Sequence, residues 1–280
     1  FDAVTGGTEV TSSVTGAGWT TTALAAGAAK EFRVEVTPGA TIAPGLLHHV
    51  LLTATSTGDP TKKDVVKATT TTLLRRQPDA LIRNSADTAF VGDDLYNTTG
   101  LRQSKAQVAA RGVKATYVVK VQNDSNVALD FRVTGTGSST GWSAQYFDAV
   151  TGGADISSAV AGTGWWTPVL NPGAATHIRL VVTPAPVAGN GSVRHVLVTA
   201  MARGDSTKTD TVKATTTVPT PADLVVSALT ITPQDGGTNT PRTVTCTVKN
   251  VGTAATPETR TALWLRRTSA PQTLETGANR

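Results

Sequence analysis

The residues best suited to chemistry lie in FVGDDLYNTTG, residues 90–100. Asp93, Asp94 and Asn97 place three hard oxygen donors close together, the donor type that calcium takes, and backbone carbonyls could complete its shell. The spacing is not that of an EF-hand loop, and Asp and Asn also form turns by bonding their own backbone. Calcium held by Asp93, Asp94 and Asn97 is therefore one expectation, and a self-bonded turn is the other. A second candidate is aromatic. Trp19 and Trp165 each follow a glycine, and Trp166 is next to Trp165. Rings beside polar loops can stack on sugars, so Trp19, Trp165 and Trp166 form a candidate glycan platform. The competing reading is that these rings plug the ends of an apolar core.

Little else in the chain suggests reactivity. The four histidines, His48, His49, His177 and His195, are too few and too dispersed for a zinc or catalytic site, and they read as surface residues. There is no Gly-x-Ser-x-Gly, His-Glu-x-x-His or phosphate-cradling glycine loop. Glycoside hydrolysis needs two carboxylates held across a cleft. The acidic residues here read as turn formers and strand-end charges, among them the repeated Asp59/Asp205 and Asp64/Asp210. The single cysteine, Cys246, reads as a small residue packed in a strand. A net charge of +5, scattered apart from pairs such as Lys62–Lys63 and Arg75–Arg76, argues against nucleic acid as a partner. No apolar run approaches the ~18 residues of a membrane helix. The expectation is a non-catalytic chain with no membrane insertion in this region.

The elements that must position these residues repeat. FDAVTGG stands at residues 1–7 and again at 147–153. Residues 1–72 and 147–218 align without a gap and are identical at 38 of 72 positions, which marks an array of modules. Threonine and valine, β-branched residues suited to strands, recur with period-two alternation. In 177–183, Ile178, Leu180 and Val182 share one face, and His177, Arg179 and Thr183 the other. The first copy agrees, with Phe32, Val34 and Val36 opposite Glu31, Arg33 and Glu35. Strands are also expected at 80–83, 115–123, 129–135, 142–149, 192–202 and 210–218. One wet and one dry face per strand predicts a two-sheet sandwich. The fold class is thus all-β, with tandem immunoglobulin-like β-sandwiches cut at both ends. The expected units are the back half of a repeat at 1–73, a complete repeat at 74–219 and the front part of a further domain at 220–280. Short proline-containing joints at 67–81 and 213–224 should be semi-rigid.

From Ala222 the pattern changes to ADLVV, then TVTCTVKNVGTAAT, then TALWL. This stretch resembles CARDB, the cell-adhesion-related domain found in bacteria. The complete repeat is similar, more distantly, to the immunoglobulin-like repeats of large bacterial surface proteins. Its VKVQNDSNVALDFRV at 119–133 echoes CTVKNVGTAATPETRTALWL at 246–265. The resemblance implies a secreted or cell-surface location and a part in adhesion or in spacing other domains. Expected partners are neighbouring domains of the same longer chain and a surface glycan or protein. Carbohydrate-binding modules, or the accessory region of a secreted enzyme, are the alternatives.

Overall fold

The structure, a computed structural model, describes residues 1–233 and 241–256. Among these, the chain forms thirteen strands and two single-turn helices. In order they are α1 (Thr11–Thr15), β1 (Leu47–Thr55), β2 (Lys63–Thr71), β3 (Pro78–Asn84), β4 (Ser104–Val108), β5 (Ala115–Asn123), β6 (Phe131–Gly135) and β7 (Trp142–Phe147). Then follow α2 (Ser157–Ala161), β8 (Trp165–Trp166), β9 (Ala175–Pro184), β10 (Val193–Ala202), β11 (Asp205–Thr217), β12 (Leu224–Thr232) and β13 (Thr243–Asn250). The protein is all-β.

Residues 78–218 build two facing sheets. One has the order β3-β5-β9-β7, the other β4-β11-β10-β6-β8. Every contact within the first is antiparallel; in the second, β4 runs parallel to β11. Alternation decides which side chains face inward. Tyr117, Val119 and Val121 of β5 and Ile178, Leu180 and Val182 of β9 are fully buried, facing Val133, Val196, Val198 and Val212 from the other sheet. Burying each such side chain stabilises the fold by about 1.5–3 kcal/mol. The two buried phenols keep their hydroxyls bonded, as buried Tyr must. Tyr117 donates across the sandwich to the Thr215 carbonyl at 2.7 Å, and Tyr146 donates to the Thr136 carbonyl at 2.7 Å.

The two copies of the repeat share their hairpin but not their surroundings. In β1–β2, Val50 pairs with Ala68 and Leu52 with Val66; in β10–β11, Val196 pairs with Ala214 and Val198 with Val212. The strand expected at 31–37, however, is absent, although its counterpart is β9. The reason is pairing: β9 hydrogen-bonds β5 on one side and β7 on the other, whereas among the described hydrogen bonds residues 31–37 have one backbone partner, Phe1, which exchanges bonds with Arg33 as Phe147 of β7 pairs with Arg179. β4, β8 and α2 were not expected from alternation.

The joints are held by hydrogen bonds. Asn126 accepts the Arg75 amide at 2.8 Å and donates to the carbonyls of Ile42 (3.0 Å) and Leu73 (2.8 Å). At the second joint, the Thr220 amide donates to Thr253 Oγ1 at 2.8 Å and the Thr253 amide to Thr220 Oγ1 at 2.9 Å. The sequence echo around Asn123 and Asn250 is a shared turn. Asn123 Oδ1 accepts the Ser125 amide and its Nδ2 donates to the Val127 carbonyl; Asn250 does the same with Gly252 and Ala254. β12 pairs with β13 as β3 pairs with β5, with Leu224 opposite Asn250 and Pro78 opposite Asn123. Cys246 is exposed rather than packed. The TALWL segment of the CARDB resemblance lies outside the described residues.

Candidate functional site

The loop from Val91 to Gln103 leaves β3 and returns as β4, and it is fastened at both ends. Val91 and Ile82 exchange backbone hydrogen bonds. Gly92, with φ +111°, lies against the Ala80 carbonyl and Gln103, where a Cβ would meet oxygen at 3.0 Å. Gly100, with φ +72°, lies on β11 so closely that a Cβ would fall 2.7 Å from Lys213 Cβ. Between these glycines, Asn97 organises its own turn. Its Oδ1 accepts the amides of Thr99 (3.0 Å), Gly100 (2.8 Å) and Leu101 (3.2 Å) and the Thr99 hydroxyl, and its Nδ2 donates to the Leu101 carbonyl. Asp93 and Asp94 are exposed, and Asp94 adopts a left-handed φ of 55°. Its carboxylate meets the Tyr96 hydroxyl at 3.0 Å. Among the described residues, no three His, Cys, Asp or Glu side chains gather into a group that could hold a metal ion.

Two acids of this region, Asp210 and Asp79, are buried. Asp210 is no strand-end charge: it sits inside β11, fully buried, and its carboxylate collects four donors. Oδ2 accepts the Ala80 amide at 2.7 Å; Oδ1 accepts the Asn97 amide (3.0 Å), Gln103 Nε2 (2.9 Å) and the Thr211 amide (2.9 Å). One side chain thereby ties β11 to β3 and to both ends of the acidic loop. Burial still raises its pKa, against those bonds. Asp79, on β3, is also fully buried but accepts only the Asp94 amide through Oδ2, at 3.3 Å, while Oδ1 has no partner. Burial foremost, then the charges of Asp124, Asp210 and Asp93, push its pKa up to about 7. Tyr96, itself exposed, adjoins them. Its hydroxyl lies 2.7 Å from Asp124 Oδ2 as well as beside Asp94, and burial and the two carboxylates raise its pKa. By contrast, Asp59 and Asp205 are turn formers, each accepting the amide and hydroxyl of the Thr two residues on. The signal that marked Asp210 was available: it stands between strand threonines, on the parity of Val212 and Ala214.

The aromatic candidates fall in separate settings. Trp165 packs partly into the core, while Trp166 is 38% exposed on edge strand β8. The Arg203 guanidinium lies 3.9 Å from the Trp166 ring centroid and is held there by both oxygens of Asp130, at 2.5 Å each. Trp19 is half-buried and packs edge-on against Phe32, 5.2 Å between centroids. The repeated FDAVTGG is a structural turn in both copies. Asp2 accepts the Thr8 amide and Asp148 the Ala154 amide, each at 2.7 Å. Arg33 covers the Phe1 ring at 4.2 Å and Arg179 the Phe147 ring at 4.0 Å. Of the histidines, His49 and His195 are exposed and bonded to Thr69 and Thr215. His177 departs from the surface expectation: it is half-buried beside Phe90, and burial, then Lys120 and Arg83, lower its pKa.

No family model matches the chain, and no curated protein does. Similar solved structures include a family 123 glycoside hydrolase from Clostridium perfringens, at 13% identity and a TM-score of 0.28, covering 55% of this chain and 28% of that one. Another is the C-terminal domain of the antigen I/II-family protein AspA from Streptococcus pyogenes, at 12% identity and a TM-score of 0.27, covering 57% of this chain and 52% of that one. The chain thus spans about a quarter and about half of the lengths of these two structures.

Proposed function

We propose that this chain is a non-catalytic structural and adhesive region of a secreted or cell-surface bacterial protein, in which sandwich modules space or present other domains. The final module is assigned to the CARDB-like class by its sequence resemblance. The observation that carries the reading is the joint. Asn126, which lies beyond the first joint, bonds the carbonyls of Ile42 and Leu73 before it and the Arg75 amide within it, and Thr220 and Thr253 bond each other reciprocally at the next. Connections fixed this way transmit distance and direction, which is what a spacer needs. No helix among the described residues is long and apolar enough to cross a membrane. The alternative, glycan stacking on Trp165, Trp166 and Trp19, draws less support, because Arg203 already covers a face of Trp166 and Phe32 engages Trp19.

The test is to pull the chain by its ends. At about 3.6 Å per extended residue, unfolding of residues 78–219 releases about 500 Å in one step. Smooth extension without that step would overturn the spacer reading. Glycan binding abolished by Trp166→Ala would favour the alternative.

A further inference from the structure

The hairpin β1–β2 carries an open surface whose occupant the same chain displays at its second copy. On β10–β11, Val196, Val198, Val212 and Ala214 are at most 1% exposed, because β3 to β7 lie over and beside them. At the equivalent positions of β1–β2, Val66 is 60% exposed, Ala68 is exposed, and Val50 and Leu52 are only half-covered. Among the described residues, no further strand lies on either edge of the hairpin. In the second copy, β4 pairs in parallel with Lys213–Thr217, and β6 pairs with Val198–Ala202. Among the described residues, β1 and β2 pair with each other and with no further strand.

The polar groups match as well. Asp210 accepts its neighbour Thr211 and three further donors, from Ala80, Asn97 and Gln103, all within 78–146. Asp64 stands at the same place in β2 and accepts its neighbour, the Val65 amide, at 2.9 Å. The three donors that a front half would bring have no counterpart there among the described hydrogen bonds. The FDAVTGG turn and its Arg33–Phe1 stack, which in the second copy adjoin β7, are already formed.

We propose that residues 1–73 are an acceptor surface for a polypeptide with the strand pattern of residues 78–146, a front half not already engaged by its own back half. The incoming segment lays a β4-like strand parallel to Lys67–Thr71 and a β6-like strand against Leu52–Ser56. It brings three donors to Asp64. Its β5-like strand turns residues 31–37 into the strand that their sequence specifies. This holds whether or not the chain serves as a spacer.

Two experiments test it, both read by amide hydrogen exchange on the full chain. In the first, the isolated polypeptide 78–146 is added in trans. Protection should rise at 31–37 and 47–71, and Asp64→Ala should weaken binding at least tenfold. In the second, which does not depend on the solubility of that polypeptide, an extra copy of 78–146 is fused directly before Phe1, as Tyr146 precedes Phe147 in the complete repeat. Exchange at 31–37 and 47–71 should slow at least a hundredfold, to the level of 177–183 and 193–217. Unchanged exchange in the fused chain overturns the proposal. So does dimerisation of the unfused chain through β1–β2, which would make a second copy the occupant.

Discussion

Replacing Asp79 by Asn removes a charge from a site that tolerates it poorly. Asp79 is fully buried, has one oxygen without a partner, and releases its proton near pH 7 rather than 3.8. The folded state therefore holds the proton between those values while the unfolded chain has lost it. Stability is complete below about pH 4, falls as pH rises, and levels off above about 7. A shift of three units corresponds to about 4 kcal/mol. Solvent near the exposed loop screens part of this, leaving about 1–2 kcal/mol. Asn cannot ionise and keeps an acceptor for the Asp94 amide. Asp79→Asn should match the parent at pH 4 and exceed it by about 1–2 kcal/mol at pH 8. The assay is urea unfolding followed by tryptophan fluorescence at pH 4, 6 and 8. His177, whose pKa is lowered, acts in the opposite direction below pH 6.5, where its stability is lost as pH falls. It is present in both proteins and cancels in the difference. Asp130 and Asp205, also lowered, act below pH 4. Parallel pH profiles for the two proteins would refute the reasoning.

Asp210→Ala strands buried donors on β3, the loop and Gln103, and should cost about 3–5 kcal/mol. Its repeat counterpart Asp64→Ala should cost less than about 0.5 kcal/mol, so urea midpoints should separate the two. Gly100→Ala combines a left-handed φ with a Cβ 2.7 Å from Lys213 Cβ, and should destabilise by about 2 kcal/mol or more. Gly152→Ala, with φ +64° and nothing within 4 Å, should cost only about 1 kcal/mol; thermal melts of the pair check the contrast. Asn123→Ala loses the Ser125, Val127 and Leu170 bonds and should lower stability by about 2–3 kcal/mol, read by the same urea assay.

Local pattern and tertiary pairing decided different things in this chain. Period-two alternation and β-branched composition determined the all-β class, strands β3, β5, β6, β7, β9, β10 and β11 and their inward faces. Ile178, Leu180 and Val182 are buried as their spacing requires, because a pleated strand offers only two faces. The repeat likewise determined that β1–β2 and β10–β11 share a register. Alternation gave no warning of β4, which pairs in parallel with a strand about a hundred residues later. It also left Asp210 as a turn or strand-end charge, because the donors that justify a buried carboxylate come from residues 80, 97 and 103. FRVEVTP and IRLVVTP carry nearly the same pattern, yet only the second is a strand. A strand is completed by hydrogen bonds to its neighbours, and whether those neighbours are present is settled in three dimensions rather than within the segment.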